Sequence, residues 1–373
     1  MKHEFETGNS KFIFTKDEFG YQEVLSEMAT AKKIIIVTYN ISAKHTYLID
    51  CLKQASSSAE IQIFTNIPNR WETYFSQSCR GLADKNISVY LTKLRPEYIG
   101  ERVSVFFNFD NHGKIIMTES VVYIGSANFS EESKHNIEFG FIVRNPDFIQ
   151  FLLSEIVPAM EEKSVPYYYE YNFMPLLLEA NMIMSTIFRL KNELYEQIYF
   201  LHDDIDGEWF YYNYNEDSLS GETLDNVMQI IAEANKIPGK IYDAVDTITI
   251  SNEELLDLIA NTWDNLDLLS SKIENLIHSD SIHDLSHFYT NDHINNLLET
   301  EYAMDAYEEN LEKCIDAASE DAMCILTNLC TNAKDNLDKL LQHISDYQET
   351  FKTVVTQIES PNIKKINPSI NNT

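Results

Sequence analysis

The sequence of 373 residues is poor in cysteine, glycine and basic side chains, and it has no long apolar run. Its five cysteines are an odd number at scattered spacings without a CxxC pair, which argues against a disulfide framework and against a zinc knuckle. The longest apolar stretches are interrupted by polar residues, so no segment is expected to span a bilayer. The N-terminus lacks the apolar core of a secretory signal, which predicts a cytoplasmic protein with no membrane partner.

The scarcity of basic residues is uneven along the chain. Lys and Arg number 28 against 59 Asp and Glu, for a formal net charge of -31. Residues 1–160 hold 16 basic and 19 acidic residues, whereas residues 161–373 hold 12 and 40. Because so negative a surface repels a phosphate backbone, any chemistry on a polyanion is expected in the first part.

The first part has the pattern of an α/β domain. Short β-branched runs alternate with helical patterns up to residue 66, which predicts a largely parallel, buried sheet. The tally is about eight strands and a closing helix near 146–162, hence an α/β sandwich with a mixed sheet flanked by helices. Beyond residue 66 the pattern predicts a helix near 71–83 and strands near 87–92, 103–109, 113–118, 121–126 and 137–143.

The second part has the pattern of an all-α helical or coiled-coil domain. Apolar residues recur at steps of three and four from Ala322 to Ile358, which predicts one helix of about 37 residues. A second stripe runs from Leu255 to Leu276, and the two stripes favour packing of long helices within a bundle or across a dimer. Residues 278–296 are predicted to form a loop, and the tail IKKINPSINNT a disordered end.

A cluster of polar residues follows in the first part. A strand over 113–118 places His112 and Lys114 on one face, because side chains two apart on a strand point the same way. The next strand ends in GSAN, where Gly125 permits a tight backbone and Ser126 and Asn128 offer hydroxyl and amide donors. The following strand brings Glu138, a carboxylate able to fix the tautomer of an imidazole.

Together these residues form the pattern HGK(x4)E, GSAN and NIE, which resembles the HxK(x4)D and GSxN motif of the phospholipase D superfamily. The resemblance covers about residues 10–160. Two departures are that Glu119 stands where the family has aspartate, and that the link from Glu119 to Gly125 is one residue shorter than is common. In this superfamily the acidic residue has a structural role, so the resemblance implies a structural role for Glu119 and Gly125.

The resemblance also implies a mechanism that needs no metal or other cofactor. His112 attacks phosphorus and forms a covalent phosphohistidine, while Lys114, Ser126 and Asn128 hold the phosphate oxygens and Glu138 orients His112. A second histidine protonates the leaving oxygen, and family members obtain it from a second motif or from a twofold partner. Since the sequence has one such motif, a homodimer or higher homo-oligomer with a composite site is expected.

The sequence therefore predicts a phospholipase D-like catalytic domain over residues 1–163 and an acidic α-helical domain over 164–373. The helical domain is assigned to oligomerisation, regulation or binding of a protein partner. Nucleic acid is the favoured substrate, since single-motif, dimeric members of the superfamily are usually nucleases, and a regulated role in defence against foreign DNA is an analogy beyond that. The alternatives are a lipid phosphodiesterase, a catalytically degenerate dimer scaffold, or a simple hairpin whose polar residues cap turns.

Two further groups carry weaker hypotheses. His283 and His287 stand four residues apart and could bind a divalent metal on a helix, although a solvated helix face is the simpler interpretation. The aromatic run from Tyr167 to Phe173 could stack on bases, but it has no basic neighbour, which favours packing at the domain junction.

Overall fold

The computed structural model describes residues 2–7, 10–42, 47–67, 87–100, 102–167, 173–201, 210–212, 219–246, 253–302 and 310–359. The chain divides into two compact units, Met1–Met182 and Ile183–Ile366. No helix within the described ranges is long and apolar enough to cross a membrane.

The first unit is built on one sheet. Its strands are β1 (Lys2–Thr7), β2 (Ser10–Thr15), β3 (Lys33–Thr38), β4 (Glu60–Thr65), β5 (Val103–Phe107), β6 (Ile115–Thr118), β7 (Val122–Gly125), β8 (Glu138–Val143) and β9 (Val165–Pro166). Its helices are α1 (Gln22–Met28), α2 (Tyr47–Lys53), α3 (87–93), α4 (Pro96–Ile99), a 3-10 helix (Glu131–His135), α5 (Pro146–Phe151), a π-helical turn (Leu152–Ile156) and α6 (Val157–Glu162). This confirms the predicted α/β sandwich with a mixed sheet.

The order of the strands is β1-β2-β8-β7-β6-β3-β4-β5-β9. Only β3 with β4 and β4 with β5 pair in parallel, and all other described neighbours are antiparallel. The prediction of a largely parallel sheet was therefore wrong. The alternating strand and helix pattern up to residue 66 produces the parallel core of β3 and β4, but the later hairpins add antiparallel strands beside it.

Each face of the sheet has its own cover. On one face Ile35, Met117 and Val122 pack with the segment from α5 to α6, whose Ile149 and Leu152 are buried in the same cluster. On the other side lies α1, whose buried residues are Val24, Leu25 and Met28. Strand β3 is buried at five of its six positions, which explains its unbroken run of Ile and Val.

One predicted strand is a helix. Residues 87–93 are helical, and Ile87, Tyr90 and Leu94 are buried while Ser88 and Thr92 are exposed. Burial at steps of three and four is the period of a helix, whereas the β-branched residues in ISVYLT had indicated a strand. The predicted helix near 71–83 lies outside the described residues.

The second unit is mostly helical. Helix α7 (Met174–Ile198) extends into it, and its own elements are β10 (Tyr199–Leu201), β11 (Phe210–Tyr212), α8 (Gly221–Ala234), α9 (Lys236–Asp246), α10 (Glu253–Ile277), α11 (Asp280–Ser286), α12 (Thr290–Thr300) and α13 (Leu311–Glu359). The predicted long helices are α10 and α13, and α13 is longer than predicted, with 49 residues. The predicted loop at 278–296 was wrong, because it contains α11 and most of α12.

The apolar stripe of α13 is buried by helices of the same chain. Leu326, Leu337, Ile344 and Phe351 are almost fully buried, and α10, α11 and α12 contact this helix. Tyr347 belongs to the stripe and donates a hydrogen bond of 2.6 Å to Asn235 Oδ1. Of the two arrangements that the stripes favour, the described residues form a bundle within the chain.

Candidate active site

The candidate site lies where β3 ends and β6 begins. These strands are antiparallel with Val37 opposite Ile115, so the residues after β3 and those before β6 meet at one edge of the sheet. His112 and Lys114 stand in the extended segment before β6, not on the strand itself as the sequence had indicated. Their side chains nevertheless lie together, with Lys114 Nζ 3.3 Å from His112 Nδ1.

Tyr39 follows β3 and contacts both of these side chains. Its ring centroid is 5.0 Å from that of His112, and Lys114 Nζ lies 5.7 Å from the Tyr39 centroid. Lys114 Nζ also donates a hydrogen bond of 2.6 Å to the His112 carbonyl oxygen. The aromatic ring thus offers its π-face to the ammonium group and forms one wall of the site.

Asn111 fixes the backbone before the pair. Its side chain is buried, with Nδ2 donating to the Thr38 carbonyl oxygen at 2.9 Å and Oδ1 accepting from the Gly113 N–H at 2.9 Å. These two bonds connect the His112 segment to the end of β3. This carboxamide therefore holds the backbone on both sides of His112 and positions the imidazole.

The backbone of β7 approaches β8 too closely for any side chain at Gly125. A Cβ atom there would lie 2.2 Å from the Phe139 carbonyl oxygen and 2.4 Å from the Tyr123 hydroxyl. Gly140 faces Gly125 across the strand pair, and a Cβ at Gly140 would lie 2.4 Å from the Tyr123 ring. Tyr123 fills this space and bonds Ala127 N–H and the Phe139 carbonyl, each at 3.1 Å.

Ser126 and Glu138 form a hydrogen-bonded pair beside these glycines. The Ser126 hydroxyl donates to a carboxylate oxygen of Glu138 and accepts from the Phe139 N–H at 3.0 Å. Glu138 is buried, and Asn136 Nδ2 donates to its other oxygen at 3.5 Å. A serine hydroxyl has one proton, so Ser126 has to leave Glu138 before it can donate to a phosphate oxygen.

The carboxamide of Asn128 has a fixed orientation. Its Oδ1 accepts from the Tyr39 backbone N–H at 3.2 Å and from Thr38 Oγ1 at 3.4 Å. A backbone N–H only donates, so the atom that it contacts is the oxygen. The Nδ2 group with its two N–H donors lies on the opposite side of this carboxamide.

Glu119 lies at the other end of β6, away from the imidazole. Its carboxylate accepts from the Lys32 N–H at 3.0 and 3.2 Å and from the Lys33 N–H at 3.1 Å, which ties the end of β6 to the start of β3. Burial raises the pKa of the Glu119 carboxyl, but these N–H groups outweigh that effect and leave the pKa below its ordinary value.

Burial shifts the pKa values of two groups in the site, Lys114 and Tyr123. Partial burial lowers the pKa of the Lys114 ammonium below that of an ordinary lysine, and the negative charge of Glu138 opposes this shift. Burial raises the pKa of Tyr123 to about 12, so its hydroxyl keeps its proton at neutral pH. In the part of the chain that the structure describes, no three His, Cys, Asp or Glu side chains are placed to hold a metal ion.

The fold thus brings together His112, Lys114, Ser126, Asn128 and Glu138 at one edge of the sheet. Sequence reasoning missed Tyr39, Thr38, Asn111 and Tyr123, which support them. Tyr39 could have been identified from its position in the chain, because residues that follow a parallel strand often line the sites of α/β sheets.

The described residues add no support for a metal site at His283 and His287 or for base stacking by the aromatic run from Tyr167 to Phe173. His283 and His287 stack on each other with ring centroids 4.2 Å apart, and His283 lies beside Asp284. The Tyr167 hydroxyl donates to the Leu91 carbonyl at 2.7 Å, which agrees with packing, while residues 168–172 of this aromatic run lie outside the described residues.

Comparison with known families gives the site a context. Residues 24–157 match the family model described as cardiolipin synthase, PLD-like domain, and this segment runs from α1 to α6. Residues 24–157 thus resemble a phospholipase D-like domain. Members of the phospholipase D superfamily are phosphodiesterases, which supports a hydrolase of that broad class. None of the curated proteins matches the chain in sequence.

Several solved structures are similar to part of the chain. Nuc from Salmonella typhimurium, a phospholipase D family member, is 16% identical and covers 42% of this chain and 97% of its own, with a TM-score of 0.30. NucT from Helicobacter pylori is 18% identical and covers 42% and 99%, with a TM-score of 0.29. Phosphatidylserine synthase from Haemophilus influenzae is 14% identical and covers 51% and 48%, with a TM-score of 0.33.

Proposed function

We propose that this phospholipase D-like protein is a metal-independent nuclease that acts through a covalent phosphohistidine on His112. The observation that carries the proposal is the placement of His112 against Lys114, with Nζ 3.3 Å from Nδ1, beside the fixed carboxamide of Asn128. An imidazole nucleophile, an ammonium group and amide donors at one edge are the parts that phosphoryl transfer requires.

The reaction has two displacements at phosphorus. An imidazole nitrogen of His112 forms the N–P bond as the bond from phosphorus to the leaving oxygen breaks, and that oxygen takes a proton from a second histidine. Water then attacks phosphorus, gives its proton back to the second histidine, and releases His112. The second histidine is supplied by a second copy of the chain, because this chain has a single HxK motif.

Lys114 and Asn128 stabilise the charge that develops on the nonbridging oxygens. Lys114 offers an ammonium group and Asn128 the two N–H donors of Nδ2. Ser126 joins them when its hydroxyl turns away from Glu138. Lys114 is held by the His112 carbonyl oxygen and Asn128 by the Tyr39 N–H, so these two groups are positioned before substrate binds.

The tautomer of His112 changes during this cycle. Lys114 can only donate, so Nδ1 is the acceptor in their contact and a neutral His112 carries its proton on Nε2. A phosphate that draws Lys114 away frees Nδ1 to take the proton, and Nε2 can then attack. Glu138 is the carboxylate predicted to accept from Nδ1, which would keep the imidazole in that tautomer.

Nucleic acid is the proposed substrate because the superfamily members with one motif that the sequence resembles are nucleases. The formal charge of residues 1–160 is close to balanced, whereas residues 161–373 carry most of the acid. We therefore assign polyanion binding to the first unit and a regulatory or partner-binding role to the acidic helices. Cytoplasmic location and a role in defence against foreign DNA stay predictions.

The first experiment measures cleavage in EDTA. Purified wild-type protein, His112→Ala and Lys114→Ala are incubated with single-stranded and double-stranded DNA and RNA, and the products are separated on gels. We expect cleavage by the wild type and a loss of at least roughly 10³-fold in both variants. His135→Ala is the matched control, because His135 is an exposed histidine bonded to Asp17 outside the proposed machinery and should cleave like the wild type.

The covalent step has its own test. Substrate with a labelled phosphate is mixed with enzyme and quenched in base, where a phosphohistidine survives, and the protein is digested to locate the label. Label on the peptide that contains His112 is the expected result. Cleavage that His112→Ala retains, or that EDTA abolishes, would contradict the mechanism. Hydrolysis of phosphatidylcholine vesicles without cleavage of any nucleic acid would favour the lipid phosphodiesterase, and full cellular activity of His112→Ala would favour the scaffold.

A further inference from the structure

Buried hydroxyl groups hold the turn that follows β7 and carries Asn128. This turn belongs to neither a helix nor a strand, so its backbone groups need other partners. The Ala127 N–H donates to the Tyr123 hydroxyl at 3.1 Å. The Phe129 N–H donates to Thr38 Oγ1 at 2.9 Å. Because Tyr123 and Thr38 are both fully buried, the backbone on either side of Asn128 is fixed from the core.

The two backbone groups of Asn128 also bind hydroxyl groups. Its N–H donates to Ser133 Oγ at 3.0 Å, and its carbonyl oxygen accepts from the Tyr21 hydroxyl at 3.1 Å. Ser133 belongs to the 3-10 helix after the turn, whereas Tyr21 stands directly before α1, 107 positions from Asn128 in the sequence. One contact is therefore local, and the other is made only by tertiary packing.

Packing in the core fixes the position of Tyr21. Its side chain is fully buried, and its ring centroid lies 5.6 Å from that of Tyr123 and 6.0 Å from that of Phe129. Burial raises the pKa of Tyr21 well above its ordinary value, so the hydroxyl keeps its proton and remains a donor. Its single proton has a near acceptor in the Asn128 carbonyl oxygen and a farther one in the Ser130 carbonyl oxygen, at 3.5 Å.

The Asn128 carbonyl oxygen has a second donor. The Ser130 N–H donates to it at 2.7 Å. Replacing Tyr21 by Phe therefore leaves this acceptor with a partner, and the loss of stability should be small. The Tyr21 hydroxyl instead adds direction. With its backbone held at both groups and its Oδ1 bound to the Tyr39 N–H, the Asn128 side chain keeps Nδ2 in one orientation.

We infer that Tyr21 and Ser133 are positioning residues for Asn128, and that they keep its carboxamide ready to donate to a phosphate oxygen. The inference rests on the proposed function, in which Nδ2 of Asn128 binds a nonbridging oxygen. Both positioning side chains are buried, and each contacts the backbone of Asn128. Donors that are positioned in advance stabilise developing charge without reorganisation, so a small displacement of Asn128 should cost much of the rate.

The rate of nucleic acid cleavage by Tyr21→Phe tests the inference. Rate constants are measured with enzyme in excess over substrate, so that slow variants stay within range. We expect the rate constant of the full-length variant to fall about 10- to 100-fold. Tyr347→Phe is the matched control, because Tyr347 is also fully buried and loses its hydrogen bond of 2.6 Å to Asn235. Its rate constant should stay within about twofold of the wild type.

A double variant separates positioning from general damage to the fold. If Tyr21 acts through the Asn128 carboxamide, Tyr21→Phe should change the rate by no more than about twofold in a protein that already carries Asn128→Ala. An equal loss in both backgrounds overturns the inference, because damage to the fold does not depend on the carboxamide. So does a folded Tyr21→Phe that cleaves like the wild type. If circular dichroism shows Tyr21→Phe to be misfolded, Ser133→Ala takes its place in the cycle, since it removes the other contact on the Asn128 backbone.

Binding of inorganic phosphate gives a readout that needs no cleavage. In isothermal titration, Tyr21→Phe should raise the dissociation constant for phosphate at least about threefold, as the loss of one well-placed hydrogen bond would cause. The same substitution should cause no further rise in Asn128→Ala, and Tyr347→Phe should bind phosphate like the wild type.

The two proposals fail in different ways. If the wild type cleaves no nucleic acid, the phosphate constants decide: the expected pattern upholds the positioning role while the nuclease proposal fails. If the wild type cleaves and His112→Ala does not, the cleavage cycle decides: a Tyr21→Phe variant with the wild-type rate rejects the positioning role and leaves the mechanism standing. A wild type that neither cleaves nor binds phosphate overturns both.

Discussion

The ring of Tyr39 lies 5.0 Å from the imidazole of His112, and their planes are inclined by 59°. Tyr39 comes directly after β3, whereas His112 comes before β6, so the contact joins residues 73 positions apart. The same ring lies 5.7 Å from Lys114 Nζ, and the Tyr39 N–H binds Asn128 Oδ1. Through its ring and its backbone Tyr39 thus contacts three of the proposed functional side chains.

Replacing Tyr39 should separate the contribution of its ring from that of its hydroxyl. Tyr39→Ala removes the wall behind His112 and Lys114, and we expect kcat/KM to fall about 2- to 30-fold, which corresponds to about 0.5–2 kcal/mol for a cation–π contact. Tyr39→Phe keeps the ring and should stay within about twofold of the wild type. Equal losses in the two variants would show that the hydroxyl, not the ring, matters.

Lys114 should set the alkaline limit of activity. Only its protonated form binds phosphate, and the protonated fraction falls as pH rises through the pKa. Because burial lowers this pKa, activity should be lost at a lower pH than an ordinary lysine would cause. Lys114→Arg carries a side chain that stays charged at high pH. In a pH profile of kcat/KM the alkaline limb should therefore move to higher pH.

The control for this profile is Lys53→Arg. Lys53 is an exposed residue of α2 that pairs with Asp50, so its replacement should leave the limb where it is in the wild type. A limb that does not move in Lys114→Arg would assign the alkaline loss to another group.

Glu119 should contribute stability and not chemistry. Glu119→Ala removes the bonds to the Lys32 and Lys33 N–H groups, and we expect the free energy of unfolding in urea at pH 7 to fall by about 1 kcal/mol. The folded pKa is lowered, so this contribution is present above the ordinary Glu pKa and is lost as pH falls through the lower folded value. The difference between wild type and variant should therefore shrink in acid.

Glu60→Ala serves as the comparison for Glu119. Glu60 forms an exposed ion pair with Lys33 at 3.3 Å, next to the backbone that Glu119 binds, and such pairs contribute little. We expect no measurable loss of stability at Glu60. A similar loss at both positions, or cleavage abolished in a folded Glu119→Ala, would contradict the structural role.

Gly125 should tolerate no side chain. In Gly125→Ala the new methyl would meet the Phe139 carbonyl oxygen at 2.2 Å, so β7 and β8 must move apart, and we expect a loss of roughly 1–3 kcal/mol in unfolding free energy. Gly221→Ala adds the same methyl group at the start of α8, where nothing lies within 4 Å, and should be neutral or stabilising. Thermal unfolding of the two variants beside the wild type measures the difference.

Much of the fold was predictable because its signals are local. The run KIIIVT is apolar at successive positions, as a strand covered on both faces requires, and it forms the central strand β3. The stripe on α13 repeats at helical spacing over many turns, which outweighs any local ambiguity. The strand predicted for ISVYLT was wrong. Its β-branched residues favour a strand, but the burial of Ile87, Tyr90 and Leu94 in the folded unit selects a helix.

The residues of the candidate site were proposed from the sequence, whereas their contacts could not be. The resemblance to the phospholipase D motif indicates that one group is formed by His112, Lys114, Ser126, Asn128 and Glu138. The roles of Tyr39 and Asn111 depend on the antiparallel register of β3 with β6, a pairing between residues about 80 positions apart. No spacing in the sequence contains that register.

By itself the sequence determined which residues are candidates for the site, the segregation of acid into the second part, and the helical stripes, because each depends on residue type and local period. The tertiary structure decided the direction of the strands, the contact of Tyr39 with His112, and the exposure of Phe139 and Phe141. These features depend on packing between segments that are far apart in the sequence. No single segment therefore determines them. A strand of alternating aromatic residues looks the same in the sequence whether or not a helix covers it.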